Sequence, residues 1–166
     1  MKEIIPPLKN PAETDKPLWH VLSLDFRYNI QKSPIHGHGL FANEKLHTDH
    51  VIINLDGQLI TIGDFSRILK SVGQLVEEHS RNYFFMEWNY VDLENNKNLI
   101  LVRPYRTMYS YINHSRKPNC CILGNAPYNL RVLAVTEIEA GEELTLDYRK
   151  EKLPRSYLDG YGGSYL

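Results

Sequence analysis

Three short segments of this sequence carry groups of the kinds that bind ligands and do chemistry. They are Ile35-His36-Gly37-His38-Gly39, Asn113-His114-Ser115 and a third segment that ends in Asp147-Tyr148. Two glycines at alternate positions let a backbone approach a ligand closely, because no Cβ obstructs it. An asparagine side chain offers both a donor and an acceptor, and a tyrosine hydroxyl places a polar oxygen without adding a full charge.

Each segment also has an ordinary structural interpretation. The paired glycines are typical of a turn, and they lack the third glycine and the βαβ unit of a dinucleotide-binding loop. His36 and His38 are of metal-ligating types, but no thiolate or third histidine lies nearby in sequence, so we expect solvent-facing side chains and no metal. Asn-His-Ser, followed by Pro118-Asn119, is also typical of an Asx turn between two strands.

Length and charge limit the class of protein. A chain of 166 residues fits one domain with a core large enough to fold alone. A formal net charge of −1 gives no overall field toward nucleic acid or an anionic membrane, so direct binding to either is not expected.

The sequence also indicates the compartment of the protein and the state of its cysteines. The sequence has neither an apolar N-terminal segment nor a run of about 18 apolar residues, which predicts an intracellular protein, cytoplasmic or nuclear. Cys120 and Cys121 are the only cysteines. Neighbours in sequence rarely bridge each other, so we expect reduced, buried residues of a strand.

Hydrophobic patterning predicts a β-rich α+β protein with an extended, proline-containing arm at 1–19, a main domain at 20–150 and an aromatic tail at 151–166. Asp56-Gly57 predicts a hairpin turn between two strands. A second hairpin is expected around the loop 124–127. The pattern predicts one amphipathic helix at 63–79 and strands at 21–28, 39–42, 51–55, 58–62, 83–88, 99–102, 120–123 and 130–135.

Three motifs in a fixed order together resemble the SET-domain methyltransferases. They are Ser33–Ala42, Tyr111–Asn119 and Gly141–Tyr148. The resemblance implies that 20–150 is a SET catalytic domain, with a fold of several short β-sheets, a β-clip with a knot-like threaded C-terminal segment. It also implies transfer of a methyl group from S-adenosyl-L-methionine to the ε-amine of a lysine in a histone or another protein.

The resemblance assigns roles to residues that match the family's motifs. Tyr148 is expected to be the central catalytic residue, and Tyr111, Tyr109 or Tyr83 to supply a further hydroxyl; Tyr111 is taken as the second catalytic candidate. Threading is expected to bring Asn113 and Tyr148 together. The residues expected to bind S-adenosyl-L-methionine are Ile35, His36, Gly37, His38, Gly39, Asn113, His114 and Tyr148.

The chain departs from the family pattern at several positions. Leu55 stands where many relatives have a tyrosine, Ser110 where a basic residue is common, and Arg116 where a cysteine is common. Leu146 and Lys150 bring no hydroxyl to positions that limit successive methylation in relatives, which favours multiple methylation. The cysteine-rich zinc segments of several relatives are absent, so the tail 151–166 is hypothesised to pack over the lysine channel.

Two alternatives remain open from the sequence. Leu55 favours a non-catalytic SET module that binds a protein partner without turnover. The third hypothesis is a methyltransferase that acts on a small amine. Substrate identity and oligomeric state are left open, with a homodimer as one alternative.

Overall fold

The computed structural model describes residues 25–73, 87–93, 96–103, 107–124, 129–151 and 166. The predicted N-terminal arm, most of the tail, the end of the predicted helix and Tyr83 lie outside these residues. The strands are β1 (Tyr28–Lys32), β2 (His38–Ala42), β3 (Val51–Asn54), β4 (Gln58–Thr61), β5 (Glu87–Leu93), β6 (Asn96–Arg103), β7 (Asn113–His114), β8 (Cys120–Leu123), β9 (Arg131–Ala134) and β10 (Thr145–Leu146).

Helical structure is limited among the described residues. Helix α1 spans Ile62–Gly73, and two 3₁₀ helices span Met108–Tyr111 and Tyr148–Lys150. Thr61 begins α1, since its hydroxyl accepts from the Asp64 N–H at 3.0 Å and donates to the Asp64 carboxylate at 2.7 Å. Within the described ranges, no helix is long and apolar enough to cross a membrane.

Strands β1 and β2 form an antiparallel hairpin that presents the first glycine-containing segment at its tip. Tyr28 pairs with Ala42 and Lys32 with His38. Residues 21–24 of the strand predicted at 21–28 lie outside the described residues; of the rest, Phe26 lies in a turn with 87% of its surface exposed, and β1 begins at Tyr28. The predicted strand at 39–42 is confirmed within β2.

The predicted hairpin at Asp56-Gly57 is wrong. Strand β3 pairs with β9, whereas β4 pairs with β6, so the two strands flanking this turn belong to different sheets. A two-residue type I′ turn needs positive φ at both central residues, and Asp56 does not have it. Residues 55–57 therefore connect two different sheets and do not form a hairpin turn. The Arg103 guanidinium stabilises this connection by donating to the Asp56 carbonyl at 2.9 Å.

The second predicted hairpin is confirmed. Strands β8 and β9 pair antiparallel from Cys120↔Ala134 to Leu123↔Arg131, and with β3 they form the sheet β3-β9-β8. The other three-stranded sheet has the order β4-β6-β5. Cys120 is buried and free, and burial raises the pKa of its thiol to about 12, so it is an inert packing residue as expected. Cys121 was also expected to be buried, but it is only partly buried.

A short parallel pair brings two distant motifs together. Thr145 of β10 pairs with Asn113 of β7, and Leu146 pairs with His114. The Ser115 N–H extends this pairing by donating to the Leu146 carbonyl at 2.9 Å. Ile112 and Leu144, which precede the two strands, are fully buried and anchor the pair in the core. The architecture is therefore a β-rich α+β fold of small sheets, as predicted.

Asn119 joins the β8 edge to this parallel pair. Its side-chain carbonyl accepts from the Thr145 N–H, and its amide donates to the Glu143 carbonyl, both at 2.8 Å. Thr145 is buried, so water cannot easily replace the first of these bonds. The sequence showed Asn119 only as part of a turn, and gave no sign that it holds the 143–145 backbone.

Asn119→Ala is expected to lower the free energy of unfolding by about 2–4 kcal/mol, because two largely buried backbone groups lose their partners. Denaturant unfolding should show a lower midpoint with an unchanged slope. Asn54→Ala is a matched control on an exposed residue, and should change stability by no more than about 0.5 kcal/mol. Equal midpoints for Asn119→Ala and the control would contradict this role of Asn119 in holding the 143–145 backbone.

Candidate active site

The loop between β1 and β2, residues 33–37, is held in shape by Ser33. The Ser33 N–H donates to the Gly37 carbonyl at 2.9 Å and closes the turn. Its hydroxyl oxygen accepts from the Ile35 N–H at 2.9 Å and from the His36 N–H at 3.3 Å. Gly37 has a φ of +51°, with no atom within 4 Å of a Cβ position. We call residues 33–39 the glycine loop; its turn, residues 34–38, is exposed.

Glu143 binds the glycine loop from the third motif. The Ser33 hydroxyl donates to its carboxylate, with oxygen–oxygen distances of 2.8 and 2.9 Å. The Asn113 side-chain amide donates to the same carboxylate at 2.7 Å. Bonds to an ionised acceptor are stronger than neutral ones. Glu143 therefore connects the first and second motifs through one carboxylate.

Asn113 adds direct contacts to the loop backbone. Its amide nitrogen lies 3.1 Å from the His36 carbonyl and 3.3 Å from the His38 carbonyl. An amide has two N–H groups, so these carbonyls and the Glu143 carboxylate share them. The structure thus shows Asn113 fixing the glycine loop in place. We call Ser33, Asn113 and Glu143 the loop clamp.

Gly39 is required by the close approach of the loop clamp. A Cβ at this position would lie 2.2 Å from Oε1 of Glu143, well inside contact distance. The sequence suggested either a turn or close approach of a ligand as the reason for this glycine. In the structure its absent side chain makes room for the Glu143 carboxylate.

His36 and His38 are exposed, as expected for loop histidines. Among the residues that the structure describes, no three His, Cys, Asp or Glu side chains are grouped to hold a metal ion. Ile35 is half exposed on the same loop, at 49% of its surface. The loop therefore presents both backbone and an apolar side chain on its outer face.

Tyr148 lies against the Asn-His-Ser segment. Its hydroxyl donates to the Ile112 carbonyl at 2.5 Å, and its backbone N–H donates to Nδ1 of His114 at 3.2 Å. The two rings lie 5.4 Å apart between centroids. Since Nδ1 accepts this bond, the neutral His114 ring carries its proton on Nε2. The expected meeting of Asn113 and Tyr148 follows, because Tyr148 contacts both neighbours of Asn113.

Asp147 orients Tyr148 from the preceding position. Its buried carboxylate accepts from Nε of Arg149 at 2.8 Å and from an Arg149 terminal nitrogen at 2.7 Å. These hydrogen bonds lower the pKa of the Asp147 carboxyl to about 2. The same carboxylate caps the second 3₁₀ helix by accepting from the Arg149 N–H at 3.1 Å. A charged, fixed Asp147 thus determines where the helix that carries Tyr148 begins.

The tyrosines expected to replace the missing hydroxyl at Leu55 have different surroundings. Leu55 is buried in the core, and so is Tyr111, at the end of the first 3₁₀ helix. The Tyr109 hydroxyl instead enters a polar cluster, where it accepts from Asn89 at 2.9 Å and donates to Glu151 at 3.0 Å. Of the two candidates that the structure describes, Tyr109 has its hydroxyl in a polar cluster, whereas Tyr111 is packed in the core.

The remaining off-pattern residues divide between core and surface. Leu146 is buried, whereas Ser110, Arg116 and Lys150 are exposed. The Arg116 guanidinium donates to the backbone carbonyl of Leu166 at 2.9 Å. Leu166 therefore lies beside the Asn-His-Ser segment.

Residues 37–149 match the SET domain family. That range covers more than half of the chain and includes residues 37–39 of the glycine loop, the Asn-His-Ser segment and Tyr148. The chain belongs to the SET-domain family.

Several curated proteins share this region. The chain is 29% identical over 137 residues to the histone-lysine N-methyltransferase trithorax of Drosophila virilis. That match covers 76% of this chain and 3% of the Drosophila protein. It is 28% identical over 129 residues to the H3 lysine-36 specific histone-lysine N-methyltransferase of Emericella nidulans. That match covers 74% of this chain and 12% of the Emericella protein. A segment of 39 residues is 59% identical to the histone-lysine N-methyltransferase SMYD3 of Mus musculus. This segment is 24% of this chain and 9% of the mouse protein. The chain spans a small fraction of each relative's length.

Proposed function

We propose that this chain is a protein-lysine N-methyltransferase that uses S-adenosyl-L-methionine as its methyl donor. One observation carries the proposal: the Asn113 amide holds the glycine loop while the Tyr148 hydroxyl is fixed on the adjacent Ile112 carbonyl. A ligand-binding loop and an oriented tyrosine hydroxyl are thus built from one parallel strand pair. Family membership and the names of the relatives support the same activity.

The residues at the glycine loop fit the methyl donor. The open space at Gly37 admits a ligand to the backbone, and the half-exposed Ile35 offers an apolar contact. The donor would bind along residues 35–39 and against Asn113 and His114. When bound, it supplies an activated methyl group on a positively charged sulfur.

Tyr148 would position the reacting groups. Methyl transfer to an amine is an in-line displacement, so orientation and electrostatic fit account for most of the catalysis. The acceptor amine must be neutral to attack, although a free lysine has a pKa of roughly 10.4. An apolar surrounding and a nearby positive charge both favour loss of that proton. Tyr148 contributes a fixed hydroxyl oxygen without a competing charge.

Histones are the acceptors that the relatives' names suggest, and a nuclear location would follow from them. Leu146 and Lys150 offer no hydroxyl to restrain a partly methylated amine, so we propose that more than one methyl group is transferred. The proposal includes no metal. Whether the chain works as a monomer or a homodimer is a separate question, which sedimentation analysis can answer.

Buried Leu55 favours a second candidate, a SET module that binds a protein partner without turnover. Incubation with labelled S-adenosyl-L-methionine and a panel of core histones, lysate proteins and small amines discriminates the candidates. Label in a protein supports the proposed enzyme. Label only in a small amine supports the third hypothesis, a methyltransferase that acts on small amines. Cofactor binding without transfer to any acceptor would support the binding module and overturn the proposal.

The tail 151–166 is proposed to pack over the acceptor channel. The contact between the Arg116 guanidinium and the Leu166 carbonyl, which puts Leu166 beside the Asn-His-Ser segment, supports this proposal. Deleting residues 155–166 is expected to reduce methylation about tenfold or more, through loss of acceptor positioning, while cofactor binding is largely retained. Deleting the arm 1–19 is the control and should leave both quantities unchanged. Full turnover without the tail would rule out this role.

A further inference from the structure

A buried polar cluster lies beside the candidate active site and has no role in the chemistry described above. Its members come from separate parts of the chain: Asn89 from β5, Arg103 from β6, Tyr109 from the first 3₁₀ helix and Glu151 just after the second. The Arg103 guanidinium donates to the Asn89 carbonyl at 2.5 Å, and the Asn89 amide donates to the Tyr109 hydroxyl at 2.9 Å. The Tyr109 hydroxyl then donates to Oε2 of Glu151 at 3.0 Å.

Each hydrogen bond in this cluster is donated in the same direction along the series, from Arg103 toward Glu151. Arginine can only donate and an ionised carboxylate can only accept, so the two ends fix the direction of the bonds between them. The Arg103 guanidinium also lies over the Tyr109 ring, 5.5 Å from its centroid. Asn89 and Arg103 are buried, which strengthens the electrostatic effect of the series on Glu151.

Glu151 has an acceptor that the cluster does not use. Its other oxygen, Oε1, is buried and has no hydrogen-bond partner among the residues that the structure describes. Burial raises the pKa of the Glu151 carboxyl to about 7, and the Tyr109 bond offsets part of that rise. A buried carboxylate oxygen without a donor is costly, and such groups occur where a ligand completes the hydrogen bonding.

The position of Glu151 relates it to Tyr148. The Glu151 N–H donates to the Tyr148 carbonyl at 3.1 Å, which makes the two residues one 3₁₀ turn apart. Side chains three residues apart in such a turn lie on the same side. Tyr109 approaches from the other segment, three residues before Ile112, whose carbonyl accepts from the Tyr148 hydroxyl. Glu151 therefore lies next to the tyrosine that is proposed to frame the reaction.

We propose that the Glu151 carboxylate binds the ammonium group of the acceptor lysine beside Tyr148 and takes one of its protons. This inference rests on the proposed function. In the step, an N–H bond of the ammonium breaks and an O–H bond forms on Oε1, which leaves a neutral amine and a carboxylic acid. The amine lone pair is then available for the methyl group, and the proton on Glu151 passes to solvent when the product leaves.

The charged and titratable groups around Glu151 agree with this step. Tyr109 faces it from the first 3₁₀ helix, where burial raises the pKa of the Tyr109 hydroxyl well above its ordinary value, and Tyr148 lies on its own turn. Arg103 on β6 acts through Asn89. Below about pH 7 the free carboxyl is protonated and cannot accept the ammonium proton, so acceptor binding should weaken there.

The test uses a small probe, so that it does not depend on knowing the protein substrate. The probes are n-butylammonium, which mimics the end of lysine, and the neutral n-butanol. Each is titrated into the full chain at pH 8, and the carboxyl carbon resonances of glutamate residues are followed. We expect n-butylammonium to bind at least about tenfold more tightly than n-butanol and to shift the Glu151 resonance.

Glu151→Gln separates charge from structure. Its amide oxygen can still accept from Tyr109, so the fold should be retained, but the preference for n-butylammonium should be lost. Glu44→Gln, on an exposed glutamate, is the matched control and should keep the preference. Equal affinity for both probes in the unaltered chain, or an unchanged preference in Glu151→Gln, would overturn the inference. Calorimetry with S-adenosyl-L-methionine on the same samples reports separately on the proposed function.

Discussion

Tyr148→Phe is expected to lower the turnover number for methyl transfer by about 10²–10³-fold, the loss that follows removal of one oriented polar group from a reaction centre. The substitution removes the hydroxyl that donates to the Ile112 carbonyl at 2.5 Å and leaves the ring in place. The backbone bond from Tyr148 to His114 is retained, so the second 3₁₀ helix should keep its position. Single-turnover transfer of labelled methyl groups measures the effect.

Affinity for S-adenosyl-L-methionine, measured by calorimetry, should change little in Tyr148→Phe, because the loop clamp is untouched. Tyr28→Phe is the matched control. It also removes a tyrosine hydroxyl, one that lies 3.2 Å from Nε2 of His50, but at the end of β1 away from the glycine loop. Equal turnover for the two variants would show that Tyr148 is a packing residue and not part of the chemistry.

Gly39→Ala is expected to weaken S-adenosyl-L-methionine binding by at least about tenfold, or ~1.4 kcal/mol. The added methyl group would lie 2.2 Å from the Glu143 carboxylate, which would have to move. Movement breaks the bonds from Ser33 and Asn113, each worth about 1.5–3 kcal/mol as hydrogen bonds to a charged group. The glycine loop would then lose its attachment to β7.

Gly63→Ala is the control for this change. A Cβ at Gly63 meets no atom closer than 3.7 Å, and the residue lies in the first turn of α1. Alanine is favoured over glycine in a helix, so stability should rise slightly and cofactor affinity should stay constant. If Gly39→Ala binds the cofactor as tightly as Gly63→Ala does, the loop clamp does not shape the binding site.

The sequence predicted which motifs lie together better than the contacts that hold them. Asn113, His114 and Tyr148 stand in dense motifs, and their meeting is confirmed by the parallel pairing of β7 and β10. Glu143 was not identified as a functional residue, because a single acidic side chain in a polar turn is usually solvated. Its partners, Ser33 and Asn113, are distant in the chain, and no periodicity connects them.

Glu151 shows the same limit for buried polar groups. Asn89 and Arg103 occupy strands, Tyr109 a short 3₁₀ helix, and Glu151 a charged stretch after Tyr148. Nothing in residue type or spacing relates them. Only the packing of the two 3₁₀ helices against the β4-β6-β5 sheet region brings their polar atoms within hydrogen-bond distance.

Elements were predicted from local pattern more reliably than strand pairing. The alternation at β3 and β4 correctly indicated strands, but Asp56-Gly57 suggested that they pair with each other. Pairing depends on which strand offers a complementary edge, and β6 and β9 both lie far along the chain. A dipeptide turn preference of local origin cannot overcome several long-range ladder bonds.

The most direct measurement of the central claim is the identity of the methylated atom. The protein is mixed with S-adenosyl-L-methionine and recombinant core histones, and the products are mapped by peptide mass spectrometry for the unaltered chain and Tyr148→Phe. We predict methyl groups on lysine ε-amines, more than one on some lysines, and their loss in Tyr148→Phe. Bound cofactor with no methylated lysine, or equal methylation by both proteins, would contradict the account.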